Sequence, residues 1–388
     1  MTNARTTIRM QVMWNRLIAV VEEQAQALLH TAFGSVAREA GDLSAGVYDL
    51  DGHMLAQAVT GTPGHVNTMA TAVRHFLERF PLAVMRQGDV FVTNDPWLGT
   101  GHLFDFVVVT PAFRDGRAVA LFACTCHVID VGGRGFTAEA NSVFEEGIWI
   151  PHMRLRKQGE LNDELLAIIT ANTRSPIEVR GDILSLVSAN DAGATRLVEM
   201  MAEFDLDSIE TLAAHILERS RSAAMAAIAE LPHGTYHAEM TLDGYEAPIK
   251  LRAALTLNPA GLRFDYAGSS PASRFGINSP KCYTDAYTVF GLKCVIAPDV
   301  PNNAGSLEVF EILAEPGSCV APEPPSPVSA RHVIGQMLPD LAFGCLAQAL
   351  PGEVPAESAG SIWVLAMASA HEQVTAVDPR QRFQVMNV

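Results

Sequence analysis

Two long apolar runs, FDFVVVTPAF and AVALFACTC, flank the tetrapeptide Arg114-Asp115-Gly116-Arg117 and constrain this chain more than any other feature. Aspartate followed by glycine tolerates the positive φ of a two-residue turn, so the runs are predicted to be adjacent antiparallel strands. Val107, Val108 and Val109 read as buried. At the far end of this hairpin the character changes. His102 and Asp105 stand at the mouth of the first strand in GTGHLFD, and His127 and Asp130 close the second in HVIDVGG.

With Arg114 opposite Arg117 and regular pairing, Phe104 faces His127, and His102 becomes a diagonal neighbour on the same face. Their Cβ atoms then lie roughly 5–8 Å apart, close enough to share one ion. Asp105 pairs with Cys126 on the opposite face, unless a bulge near Gly101 turns it or the strand begins after it. Two neutral imidazoles with one or two carboxylates suit zinc, manganese or iron, and leave positions open for water. The plainer alternative is that each histidine bonds a backbone carbonyl in its loop. Spacing alone does not decide between the two.

The rest of the pattern is mixed. Residues 8–31 have near-helical apolar spacing, GVYDLDGHMLAQA alternates about an Asp51-Gly52 turn, and a helix is expected at about 66–80. Residues 160–230 read as helices, with starts at Ser175-Pro176 and near Ser208. Strands return after Pro232, with turns at Asp243-Gly244 and Asn258-Pro259-Ala260-Gly261. Strands grouped in hairpins predict an α+β fold of hairpin-rich mixed sheets with a central helical segment. The expected divisions are a metal-site α+β region at 1–158, a helical region at 159–231, and a β-rich and mixed region at 232–388.

The net charge of −16 over 388 residues argues against nucleic acid or an anionic membrane as partner. No apolar stretch reaches membrane-spanning length, and MTNARTTIRM does not read as a secretory segment. The six cysteines lie mostly in apolar contexts, as reduced thiols do. The expectation is a cytoplasmic protein with a small-molecule substrate.

Taken in order, GDLSAGVYDLDGHMLAQA, TGTPGHVNTM, GDVFVTNDPWLGTGHLFDFVVVTPAF, HVIDVGG and FEEGIWIP resemble the hydantoinase B/oxoprolinase family. That family includes N-methylhydantoinase and lactamase beta chains and the alpha subunit of acetone carboxylase. INSP, PDVPNNAGSLEVFEILAEPGSCVAPEPPSPV and LAQALPGEVPAESAGS extend the likeness over nearly the whole chain. The resemblance implies a divalent metal (zinc, manganese or iron) held by His102, Asp105 and His127. Asp42, in the DLS segment, resembles the acid that joins the ion in lactamase-type members. Hairpin phase favours Asp42 and motif matching favours Asp105, so both stand as ligands.

The resemblance also implies a hydantoinase A type ATPase partner, with a further small subunit as an open addition. That partner would use ATP to phosphorylate a carbonyl or enolate oxygen of the substrate. The chain itself has no GxxxxGK[ST] loop. The expected function is the metal-dependent beta-type subunit of an ATP-dependent cyclic amide hydrolase, acting on a hydantoin, lactam or 5-oxoproline. The alternatives are a subunit of a ketone carboxylase and a non-catalytic scaffold. Asp42 or Asp130 would take a proton, with Asp130 otherwise orienting His127, while His65 stands in the pocket wall and Glu146 near the site. Asn94 and Asp95 are expected to shape the turn before Pro96.

There are departures. Glu39-Ala40-Gly41 precedes Asp42 where the family usually has an arginine, and Val128 follows His127 where a second histidine is common. The sequence ends at QVMNV, so the family's C-terminal part is expected to be missing or to lie on another chain.

Overall fold

The computed structural model describes residues 2–59, 61–259, 261–358, 360, 365–368 and 384–387. The chain opens on a long helix, α1 (Thr2–Thr31), and a single turn, α2 (Ser35–Arg38), before the hairpin of β1 (Leu43–Tyr48) and β2 (Met54–Gln57). Helix α3 (Pro63–Arg79) and strand β3 (Val90–Thr93) lead to the central pair β4 (Asp105–Arg114) and β5 (Arg117–His127). Strands β6 (Met153–Lys157) and β7 (Glu160–Leu161) precede three helices, α4 (Asp163–Ala171), α5 (Pro176–Glu203) and α6 (Glu210–Ala229). Next come β8 (Gly234–Leu242), β9 (Ile249–Asn258), β10 (Gly261–Asp265), α7 (Lys281–Ile296), α8 (Ala304–Leu307) and β11 (Phe310–Leu313). The short α9 (His332–Gly335) and α10 (Leu338–Ala349) follow, then the antiparallel pair β12 (Leu365–Ala368) and β13 (Gln384–Asn387).

Among the described residues, seven strands form an antiparallel sheet in the order β2-β1-β5-β4-β3-β6-β7. Helices α1 and α5 cover one face, where Leu17, Val21 and Leu186 join Phe106, Val108, Phe122 and Cys124 in one core. A Cβ at Gly193 would lie 2.7 Å from the Phe122 ring, so a glycine there lets α5 sit close on the sheet. On the other face Val107, Val109, Leu121 and Ala123 pack with Met69 and Phe76 of α3 and Leu292 of α7. Strands β4 and β5 are thus covered on both sides, which accounts for their unbroken apolar runs. The second sheet runs β11-β10-β9-β8, with β10 and β11 parallel. The chain is α+β with hairpin-rich mixed sheets, as the pattern predicted. Among the described residues no helix is long and apolar enough to cross a membrane.

Two local expectations shift. Proline suits the first helical position, and α3 begins at Pro63, so His65 falls in its first turn rather than before it. Helix α6 begins at Glu210, and Ser208 does not cap it. The turn Asn258-Pro259-Ala260-Gly261 joins β9 to β10, although Ala260 itself lies outside the described residues.

The register of the central hairpin differs from the expected one in a way that matters. Asp115 and Gly116 take positive φ values of 49° and 76° and close the predicted tight turn. Arg114 pairs with Arg117 and Phe113 with Ala118, but Ala112 pairs with Ala120, leaving Val119 as an extra residue. This bulge moves every later pair by one. Asp105, not Phe104, therefore faces His127, and Phe106 faces Cys126. Because side-chain direction alternates along a strand, a one-residue slip carries Asp105 onto the histidine's own face.

Candidate metal centre

Asp105 opens β4 and His127 closes β5, so both stand at the same edge of the sheet. His102 arrives from the preceding loop, which its own polar side chains shape. The Asn94 amide donates to the carbonyls of Leu103 and Ile148 and accepts from the Ile150 N–H. Asp95 Oδ1 accepts the N–H groups of Trp97 and Leu98, the turn-forming role expected of it.

Asp105 is fully buried, and its two oxygens face different neighbours. Oδ1 lies 2.8 Å from His102 Nε2 and 3.4 Å from His127 Nδ1. Oδ2 lies 2.9 Å from His65 Nε2 and accepts from Arg331 Nη2 at 2.7 Å. Asp42, just before β1, lies 3.3 Å from His65 Nδ1 and 3.7 Å from His127 Nδ1, and accepts from the Thr62 hydroxyl at 3.1 Å. The backbone N–H of His127 donates to the Asp42 carbonyl, which ties the two segments together.

These residues fit a divalent cation. His102 Nδ1 is 3.0 Å from the Ser329 carbonyl, which can only accept, so Nδ1 carries the proton and Nε2 offers a lone pair. Burial, reinforced by the charge of Arg331, pushes the His102 pKa down to about 3, so the ring stays neutral. Its Nε2 therefore meets Asp105 Oδ1 acceptor to acceptor, and both atoms are buried without a hydrogen-bond partner. A cation between them satisfies both at once. Ligand atoms of His102, Asp105 and His127 all lie within 4.8 Å of one another. A second cluster, Asp49, Asp51 and His53, sits on the β1–β2 turn, where Asp49 Oδ1 accepts the Asp51 and His53 N–H groups. That is ordinary turn bonding.

His65 bridges the two carboxylates. Burial opposes charge on its ring, but Asp105 and Asp42 outweigh burial and raise its pKa. Above the cluster opens a cavity of about 190 Å³. Beyond Asp42 and the histidines, its wall includes Phe136, Tyr283, Tyr287, Arg331, His332 and Gln336. Phe136 stacks on His332 at 5.3 Å and meets His127 edge-on at 5.3 Å. Sequence spacing missed this wall, most of which lies more than 150 positions beyond His127. The adjacent Arg331-His332 pair in SPVSARHVIG was the only local signal.

Three expected residues lie outside the cavity lining: Asp105, fully buried against the histidines that do line it, and two that stand further off, Asp130 and Glu146. Asp130, expected to take a proton or to orient His127, has its side chain engaged elsewhere. Its carboxylate accepts from the Thr173 hydroxyl at 2.8 Å and from the backbone and guanidinium of Arg174. Partial burial pulls the other way, but those bonds lower its pKa and fix the connection between α4 and α5. Glu146 is also one step removed. Its Oε1 accepts the Val328 and Ser329 N–H groups at 2.6 and 2.8 Å, and so holds the segment whose carbonyl sets the His102 tautomer. Neighbouring Glu145 pairs with Arg134 near the surface.

Glu146 also predicts a pH dependence. Burial, only partly offset by its two backbone bonds, pushes its carboxyl from 4.5 up to about 7. The folded chain keeps a proton here that the unfolded chain releases near 4.5. The resulting stability is complete below that pH and is lost as pH rises toward 7. A span of that size is worth roughly 3 kcal/mol. Glu146→Gln is expected to flatten this part of a denaturation-versus-pH curve, and an unchanged slope would assign the fall to other groups.

A family profile described as Hydantoinase B/oxoprolinase matches residues 6–388. The putative B-type subunit of a D-/L-hydantoinase from a Pseudomonas species is 26% identical over 382 residues, covering 93% of this chain and 64% of that protein. In fold, the chain is similar to an ATP-dependent caprolactamase from Pseudomonas jessenii, with TM-score 0.82 and 23% identity over 89% of this chain and 61% of that one. It is equally similar to acetone carboxylase in its nucleotide-free structure, with TM-score 0.84 and 20% identity over 93% of this chain and 51% of that one. The chain spans less than two thirds of each of these proteins. With its motifs in family order and the profile matched almost from end to end, the chain belongs to the hydantoinase B/oxoprolinase family.

Proposed function

We propose that this chain is the metal-dependent, ring-opening subunit of an ATP-dependent cyclic amide hydrolase. The observation that carries this reading is the buried Asp105, whose Oδ1 faces His102 and His127, two histidines that line an aromatic-walled cavity. His102, Asp105 and His127 would hold the ion, with Asp42 beside them. A divalent cation there supplies Lewis acidity and lowers the pKa of coordinated water. Asp42, whose side chain is 29% exposed, stands at the cavity to accept a proton. His65, between Asp42 and Asp105, is placed to receive that proton and hold it in the site. Phe136, Tyr283 and Tyr287 flank a flat ring and keep bulk water from it.

Activation belongs to a partner of hydantoinase A type, which phosphorylates the substrate. The names of the hydantoinase relative and the caprolactamase support hydrolysis of a cyclic amide. The equal likeness to acetone carboxylase supports a second reading, attack of a ketone enolate on carbon dioxide at the same ion.

The test is reconstitution with a hydantoinase A type partner. The isolated chain is expected to hydrolyse no ATP. The complex should couple ATP use to opening of a hydantoin or lactam, and to lose that coupling when metal is stripped. ATP-dependent carboxylation of a ketone with bicarbonate, without ring opening, would establish the second reading. Full activity in a rigorously metal-free complex would overturn both.

A further inference from the structure

The chemistry above leaves Arg331 without a role, although it is among the most buried charged groups in the chain, only 4% exposed. We propose that Arg331 is the counter-charge of the ion site: it balances the buried Asp105 carboxylate when no ion is bound. This rests on the metal reading above.

The contacts are specific. Arg331 Nη2 donates to Asp105 Oδ2 at 2.7 Å, and Nε donates to the Thr100 carbonyl at 3.0 Å. Its guanidinium carbon lies 4.0 Å from the centre of the Tyr283 ring. The loop makes room for it: a Cβ at Gly101 would come within 2.7 Å of Arg331 Cδ and Nε. The other groups against Asp105 are His65 on Oδ2 and His102 and His127 on Oδ1. Imidazoles gain and lose charge with pH, whereas a guanidinium keeps its charge throughout. Among the described residues, Arg331 is therefore the one permanent positive charge on this buried carboxylate.

Arg331 also belongs to a brace that reaches the ligands from the far end of the sequence. Glu146 fixes the backbone at Val328 and Ser329, the Ser329 carbonyl sets the His102 proton, and Arg331 follows two residues later to hold Asp105. One short segment thus sets the orientation of two ligands.

This arrangement has an asymmetric consequence. Without Arg331, the ion-free chain carries a buried carboxylate stripped of its steady partner, which is strongly destabilising. A bound divalent cation restores the missing charge. A side chain that served only to fill space would matter equally with and without the ion.

The experiment compares thermal melting of the full-length chain, Arg331→Gln and Arg331→Lys at pH 8, each in chelator and in saturating zinc or manganese. A chelator competition measures ion affinity alongside. Arg331→Gln is expected to melt on the order of 5–10 °C below wild type in chelator. Most of that gap should close when the ion is added, and by the same linkage the variant's ion affinity should rise, roughly tenfold or more. Arg331→Lys, which keeps the charge, should narrow the gap in chelator. Equal losses with and without the ion, no loss at all, or a variant the ion cannot fold would each overturn the proposal while leaving the metal reading intact. A wild-type chain whose melting no divalent ion affects would overturn both.

Discussion

Asp105→Asn is expected to abolish ion binding and to slow ring opening by at least about 100-fold, while the chain stays folded and its partner still consumes ATP. Asparagine has the size of aspartate, so the buried site keeps its shape. The amide has two ways to sit. With its oxygen toward His102, its NH₂ faces the Arg331 guanidinium, donor against donor, where Asp105 now accepts at 2.7 Å. With its oxygen toward Arg331, its NH₂ faces His102 Nε2, the buried acceptor that lacks a partner. The second pose satisfies both neighbours and is strongly preferred. It also uses up the very lone pair that an ion requires. The variant is therefore expected to purify with empty ligands by elemental analysis and with little product in a single-turnover assay. A hundredfold loss corresponds to about 2.7 kcal/mol of transition-state stabilisation, modest for the removal of a metal. Sizing of the complex guards against a lost subunit posing as lost chemistry. Asp130→Asn is the matched control, because its carboxylate serves Arg174 and Thr173 and the ion should remain. A full complement of metal in Asp105→Asn would remove the acid from the site.

The contrast between these two aspartates shows what the sequence could and could not reveal. Both stand in the same four-residue pattern, HLFD and HVID. In the first, the histidine is in a loop and the aspartate begins β4; in the second, the histidine ends β5 and the aspartate has left the sheet. The pattern is one, but the chain crosses the sheet edge in opposite directions, so only Asp105 points back over the histidines. The hairpin itself was legible because Asp115-Gly116 fixes it locally. Its phase was not, because the extra residue at Val119 follows from packing between strands and leaves no mark in an apolar run where every residue looks alike. Motif matching named Asp105 where hairpin phase had turned it away, and the bulge explains how both arguments could be made from one segment. Arg331, Tyr283 and His332 were illegible for a different reason. Their link to the site is a long-range one, and no local periodicity carries it.

The glycine pair that follows Asp130 is expected to be as intolerant of change as any ligand, and for reasons of space rather than chemistry. Gly132, Gly133 and Gly116 all have positive φ, at 80°, 54° and 76°, so alanine suffers a similar backbone strain at each, about 1 kcal/mol. Their surroundings differ. A Cβ at Gly116 meets nothing within 4 Å, whereas at Gly132 it would lie 2.1 Å from the Asn172 carbonyl oxygen. At Gly133 it would lie 2.5 Å from the Glu145 oxygen and 2.6 Å from the backbone at Glu146 and Gly147. Backbone held on both sides cannot retreat as a side chain can, so overpacking adds roughly 1–3 kcal/mol or more to the strain. Denaturant titration is expected to show Gly116→Ala lower than wild type by only the strain, about 1 kcal/mol, and Gly132→Ala and Gly133→Ala lower by about 3 kcal/mol or more. Gly133→Ala should also weaken ion binding, because the backbone it pushes carries Glu146, and through Ser329 that carboxylate holds His102. Gly116→Ala, at the opposite end of the hairpin, should leave the ion untouched. Equal, small effects at all three glycines would mean that the loop yields, and that its close approach plays no part in holding the site.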